Sequence, residues 1–262
     1  MKIITVAGNL HNLNLDTLIV LHSENKDLIG EKGKSIDKIL GYPLANLIKE
    51  GEIKGQLGEI THLHTFGEKP TSRIIFIGIG SYEEVTSNRL REIFGITSRY
   101  LKKTRASKVG ILAPRPDINV FAPELLSQVA AEGFILGLYK FDKYFSNPKD
   151  SSCINEIQMV CNTTEETKLS ELGIRKGKII AEATNLCRDL VNEPANKMSP
   201  TNLAEIAVKV AEDTDLQVKI LEKTDMEKFG MGALLGVAKG SAQPPKFIVL
   251  RYWGNPDNKK DN

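Results

Sequence analysis

Residues 73–112 read RIIFIGIGSYEEVTSNRLREIFGITSRYLKKTRASKVGIL, and this stretch decides the fold. Arg73 to Ile77 is a short apolar run rich in β-branched residues, which reads as a buried strand. Asn88 to Lys103 carries Leu90, Ile93, Phe94 and Ile96 at helical spacing and is expected to turn that stripe inward. Lys108 to Leu112 is a second strand of the first kind. Strand, helix, strand in direct succession is the rhythm of an α/β domain.

The rhythm continues outward in both directions. Lys2 to Val6, Thr17 to Leu21 and Glu59 to His64 are strands on the N-terminal side, and Glu156 to Val160 is one on the C-terminal side. Ser35 to Lys49 is a helix in two pieces, because Gly41-Tyr42-Pro43 forces a break. Glu124 to Tyr139 is a helix introduced by Pro123. Phe145 to Ser152 has the composition of a loop. Glu165 to Leu190 then repeats Leu169, Leu172, Ile179, Ile180, Ala183, Leu186 and Leu190 at helical spacing over about 39 Å, long enough to bridge two domains. After it, Ser199-Pro200 is a helix-entry signal. Leu216 to Leu221 is a strand, Thr224 to Phe229 a short helix stopped by Gly230, and Lys246 to Tyr252 a run of buried-strand type. These elements are too few to cover both faces of a parallel sheet, so the chain is expected to stop in mid-domain.

The 262 residues suffice for two domains, and 41% hydrophobic with 26% charged residues is the balance of a globular protein with a real core. With 35 basic against 33 acidic residues and a net charge of +2, the chain lacks the basic excess of a dedicated nucleic-acid binder, so nucleic acid is an unlikely partner. No apolar stretch approaches the ~20 residues of a membrane-crossing helix, and Met1 to His11 lacks the apolar core of a signal peptide; a cytoplasmic location is expected. Cys153, Cys161 and Cys187 have spacings that fit neither a zinc pair nor a redox motif.

Few residues suggest chemistry. His62 and His64 lie two apart in a strand, so both imidazoles share one face, as an HxH metal pair requires; with no third ligand nearby, an ordinary strand face accounts for them. Gly78 and Gly80 could bring backbone amides to a phosphate, but the third glycine of the dinucleotide fingerprint is missing and a tight turn suffices. Asp189 and Glu193 could share a cation on a continuous helix, which Pro194 makes doubtful. Ser241 lacks the GxSxG elbow, and Lys239 and Lys246 read as exposed loop lysines. Chemistry alone assigns no catalytic, cofactor-binding or metal-binding residue.

Two longer blocks carry a resemblance. NLCRDLVNEPANKMSP (185–200) resembles the domain-junction motif of the leucyl aminopeptidase (cytosol aminopeptidase) family, and MEKFGMGALLGVAKGSAQPP (226–245), followed by the strand from Phe247 to Tyr252, resembles the opening of that family's catalytic domain. The resemblance implies a macro-like α/β N-terminal domain over 1–162, a linking helix over 163–190, and the incomplete beginning of an α/β metallo-exopeptidase domain over 191–262. It implies an enzyme that removes N-terminal residues from peptide substrates with two divalent metal ions, zinc or manganese, in a homo-oligomer that is a hexamer in the family. The family's metal ligands and its catalytic lysine and arginine sit in downstream lysine-glycine, FDSGG and NTDAEGR blocks, none of which occurs here. No site role is therefore transferred, this chain alone is expected to be inactive and to hold no metal, and the gene product is expected to be longer. The alternative is a stand-alone macro-like module that binds nucleotide, nucleic acid or a partner subunit. Cys187 is expected to be packed, Gly230, Gly232, Gly236 and Gly240 to allow turns and close packing, and the Phe247 to Leu250 strand to be an open, association-prone edge that Ile248→Lys would make more soluble.

Overall fold

A computed structural model describes residues 1–8, 10, 13–24, 30–41, 44–65, 71–112, 121–146 and 154–254. They form two units, Met1–Asn185 and Leu186–Asn262. The elements expected in the first unit are all present: β1 (Lys2–Ala7), β2 (Thr17–His22), α1 (Gly30–Leu40), α2 (Leu44–Lys49), β3 (Ile60–His64), β4 (Arg73–Gly78), α3 (Ser87–Thr104), β5 (Lys108–Leu112), α4 (Pro123–Gly137), β6 (Glu156–Cys161) and the first part of α5 (Thr164–Asn192). Helix α1 starts five residues before the expected Ser35. Tyr42, Pro43, residues 147–153 with Cys153, and the tail from Asn255 lie outside the described residues.

The six strands form one sheet in the order β1-β6-β5-β2-β4-β3, parallel throughout except for β3, which runs antiparallel to β4. Because side chains alternate across a strand, each interior strand feeds two cores. Ile19, Leu21, Ile75, Ile77, Val109, Ile111 and Met159 pack with Leu90, Phe94, Val129 and Phe134 of α3 and α4. Leu18, Val20, Ile74 and Phe76 pack on the other face with Ile36, Ile39 and Leu44 of α1 and α2. This two-sided burial is why β2 is apolar without alternation and has no exposed residue.

At the amino ends of the strands, the Asp16 carboxylate accepts the amides of Ser107 and Lys108 at 2.7 and 2.8 Å, and the Asp16 carbonyl accepts the amide of Ser72 at 3.2 Å. One acidic residue thus holds β2, β4 and β5 in register. Helix α3 is capped by Thr86, whose hydroxyl accepts the Arg89 amide, and ends at Arg105 in the left-handed region, φ 56°.

Two helices differ from the expected faces. In α3, Leu90, Ile93 and Phe94 are buried, but Ile96 is exposed, and Thr97, Ser98 and Leu101 point inward instead. In α5 the apolar repeat is mostly on the outside: Leu169, Leu172, Ile179, Ile180 and Leu186 are exposed, and Ser170, Gly173, Ile174, Gly177 and Ala181 are the buried face. Small residues win because α5 crosses α4 at main-chain distance: a Cβ on Gly177 would lie 2.9 Å from the Ala131 Cβ, closer than real Cβ atoms approach.

The second unit holds the end of α5, then α6 (Pro200–Glu212), β7 (Gln217–Leu221), α7 (Lys223–Lys228), α8 (Gly232–Ala238) and β8 (Phe247–Arg251). Ser199 and Asn202 make the reciprocal capping box that starts α6. Strands β7 and β8 form a two-stranded antiparallel ribbon with Ile220 opposite Ile248, so β8 is paired on one side among the described residues. Gly230 stops α7 with φ 68° as expected, but Gly232 and Gly236 lie inside α8, and nothing stands within 4 Å of a Cβ on either. The sequence reading missed that helix because glycine weakens helix propensity.

Candidate functional site

In open α/β sheets, ligands bind beyond the carboxyl ends of the strands, where the connections diverge to either side. Here that point lies between β2 and β5, and the segments that follow them, 25–29 and 113–120, are outside the described residues. What is described there is tightly closed. The Gly78 amide donates to the Glu59 carbonyl at 2.8 Å and the Gly80 amide to the Gly55 carbonyl at 2.9 Å. A Cβ on Gly78 would lie 2.7 Å from the Gly55 carbonyl carbon. Both amides considered for a phosphate are therefore spent inside the turn, and these glycines serve close backbone packing.

His22 ends β2 at 2% exposure, and its Nε2 has no hydrogen-bond partner among the described residues. Burial pushes its pKa below the usual histidine value, and the Glu59 carboxylate partly opposes the shift. The unfolded chain takes up this proton near pH 6.5, whereas the folded chain does so only at lower pH. Stability is therefore complete above about pH 6.5 and falls as the pH drops below it, by at most about 1.4 kcal/mol per pH unit for one proton. His22→Asn is expected to flatten this part of the curve; urea midpoints of both chains between about pH 7.5 and about pH 5 check it.

Between α4, α5 and the carboxyl ends of β5 and β6 lies a cavity of about 20 Å³, room for one water. It is lined by Phe121, Ser127, Met159, Cys161 and Ser170, with the Cys161 thiol 3.4 Å from the Ser170 hydroxyl. Larger grooves flank β1 and run between α3 and α4, about 430 and 370 Å³. Neither gathers a nucleophile with a base.

The remaining sequence candidates are dispersed. His62 and His64 share one face as expected, with ring centroids 4.6 Å apart, and His62 Nδ1 is 2.9 Å from the Tyr100 hydroxyl. Helix α5 ends at Asn192, so Glu193 lies past its last turn and bonds back through its amide to the Asp189 carbonyl. Ser241 accepts the Gln243 amide at 3.1 Å. Cys187 is exposed rather than packed. Lys246 is not the exposed lysine expected: its side chain is 13% exposed and ion-paired with Glu222.

Among the described residues no three His, Cys, Asp or Glu side chains converge where they could hold a metal ion. A two-metal centre needs several carboxylate or imidazole ligands. The described donor set does not fit one, and no catalytic step can be built on it. No helix among these residues is long and apolar enough to cross a membrane.

Comparison with known proteins gives the context. Residues 19–148 match the family model described as the cytosol aminopeptidase family, N-terminal domain, and residues 185–262 match that of the catalytic domain of the same family. The probable cytosol aminopeptidase of Alkaliphilus metalliredigens is 36% identical over 98% of this chain and 52% of its own length. That of Sulfurihydrogenibium sp. is 37% identical over 96% of this chain and 49% of its own length. Among solved structures, a tomato leucine aminopeptidase mutant superposes with a TM-score of 0.80 at 23% identity, covering 95% of this chain and 50% of that one. The bottromycin maturation enzyme BotP, solved in complex with Mn, gives 0.70 at 22% identity, over 92% and 46%. The chain spans about half the length of the curated relatives it matches.

Proposed function

This chain belongs to the cytosol aminopeptidase family, and from that premise we propose that it supplies the N-terminal domain and the opening of the catalytic domain of a metal-dependent aminopeptidase. The observation that carries the reading is the order of the two family matches, 19–148 and then 185–262, in a chain half as long as its relatives. In this reading 1–162 is a macro-like domain, 163–190 a linking helix and 191–262 the start of the peptidase domain. The whole enzyme would hydrolyse N-terminal residues from peptides in the cytoplasm, as a hexamer, with two divalent ions, zinc or manganese, bound by the half that lies beyond the matched residues. The chemistry such ions would supply there is polarisation of the scissile carbonyl and a hydroxide nucleophile. This chain's own contribution is scaffold.

The exposed apolar side chains support the assignment. Leu172, Ile179 and Ile180 stand exposed at helical spacing along α5, an apolar stripe of the kind that packs against another surface.

The test is an aminopeptidase assay of the pure chain on a leucyl amide substrate with zinc or manganese added. No turnover above buffer is expected. Metal-dependent turnover abolished by chelation would place an active site within these residues and overturn the reading.

A further inference from the structure

We propose that β3 is an acid-opened edge: His62, set beside His64 and against Arg73 on the α3 side of the sheet, becomes a cation as pH falls and parts β3 from β4. The inference is independent of the aminopeptidase assignment and concerns the N-terminal unit alone.

The geometry places three basic side chains on one face. His62 and His64 are two apart in β3, and their rings lie 4.6 Å apart at 31°. Arg73 is the register partner of His64 across the antiparallel pair. It cannot swing away freely, because its guanidinium donates to the Thr104 carbonyl at the end of α3 at 2.5 Å. Helix α3 sets a neutral group against the pair: the Tyr100 hydroxyl at 2.9 Å from His62 Nδ1, its ring edge-on at 6.0 Å. His62 Nε2 is buried without a hydrogen-bond partner. Among the described residues, the charged or titratable groups that face His62 are thus His64 on its own strand, Arg73 from β4 and the phenol from α3.

A neutral imidazole suits this place: one nitrogen meets the phenol, and the other is buried with no hydrogen-bond partner among the described residues. The cation carries hydrogen on both ring nitrogens, so its buried Nε2–H has no acceptor among the described residues, and its charge lies beside His64 and the Arg73 guanidinium, where like charges repel. Burial first, then His64 and Arg73, lower the affinity of His62 for that proton. The sign follows. In the opened strand His62 protonates near pH 6.5, in the closed strand only lower, so closure is complete above about pH 6.5 and weakens below it. Each unit of separation between the two values is about tenfold in the closing equilibrium. β3 is the element that can respond because among the described residues it is an edge, held by the ladder to β4. Its opening would uncover the outer edge of β4, a template for strand association.

Amide hydrogen exchange of the full 262-residue chain at about pH 7.5 and about pH 5 tests this, with rates corrected for intrinsic exchange. Protection of the bonded amides of Ile60 to His64 is expected to fall about tenfold or more at the lower pH relative to those of β5. That ratio removes any global effect of His22, which moves both strands together. His62→Phe keeps a ring against Tyr100 and cannot ionise; it is expected to abolish the differential loss. His64→Gln, removing one of the neighbouring charges, is expected to reduce it. Parallel loss in β3 and β5, no loss in either, or a pH response retained by His62→Phe would each overturn the proposal.

Discussion

Gly133→Val is expected to cost about 3 kcal/mol or more, lowering the melting temperature by about 6–12 °C in a domain of this size. Helices α3 and α4 cross in main-chain contact. A Cβ on Gly133 would lie 2.6 Å from the Arg91 carbonyl oxygen and 3.1 Å from the Gly95 amide nitrogen, and one on Gly137 would lie 2.7 Å from the Gly95 carbonyl oxygen. Those backbone atoms belong to helix ladders and cannot turn aside, so relief must come from separating the helices. Separation also strains the pairing of Arg91 with Glu132, whose side chain is 2% exposed and is otherwise bonded to Gln128 at 2.9 Å. A buried carboxylate left without its cation is itself worth about 3–5 kcal/mol. The control is Gly236→Ala in α8, where a Cβ meets nothing within 4 Å and the helix should gain about 0.5–1 kcal/mol. Thermal and urea unfolding of the three chains decides it; Gly133→Val within about 1 kcal/mol of the parent would contradict the close-crossing account.

The parent chain is expected to self-associate through the β7–β8 ribbon, and Leu250→Lys to shift it toward monomer. Among the described residues β8 is paired only with β7, and Phe247-Ile248-Val249-Leu250 carries no charge or proline to block a further strand. The geometry favours Leu250 over Ile248 as the test position. Leu250 is 46% exposed, whereas Ile248 is half-buried opposite Ile220, where a lysine would cost packing as well as block an edge. Sedimentation over a wide concentration range reads the result. A parent chain that stays monomeric at all concentrations, with protected amides from Phe247 to Leu250, would show the edge to be closed.

Much of the architecture was legible in the residues. Strand positions in the N-terminal unit followed from short β-branched runs, because a strand buried on both faces must be apolar at every position, as β2 is. The start of α6 followed from Ser199-Pro200 for an equally local reason: a cap is a bond between a side chain and an amide three residues on. The family was legible too, in the blocks 185–200 and 226–245, and both the matched catalytic-domain segment and the curated relatives agree with it.

Helix faces were less legible. The apolar repeat of α5 marks a face that is exposed in this chain, and the face that packs is serine, glycine and alanine apart from Ile174. Hydrophobic periodicity reports which face avoids water in the finished protein; it does not report which neighbour a helix approaches most closely. Close approach is set by the absence of side-chain volume, a signal that looks like weakness when read one residue at a time.

The sequence by itself therefore determined the strands, the capped start of α6, the α/β class and the family, since each rests on local pattern or on a contiguous block. Only the tertiary structure decided that α3, α4 and α5 meet through glycine, that the Gly78 and Gly80 amides are spent on the turn, that Lys246 is held against Glu222, and that His62 and His64 meet Arg73 and Tyr100. The physical reason is the same throughout: these are contacts between residues far apart in sequence, and their energies depend on distances of a few ångströms that no local pattern encodes.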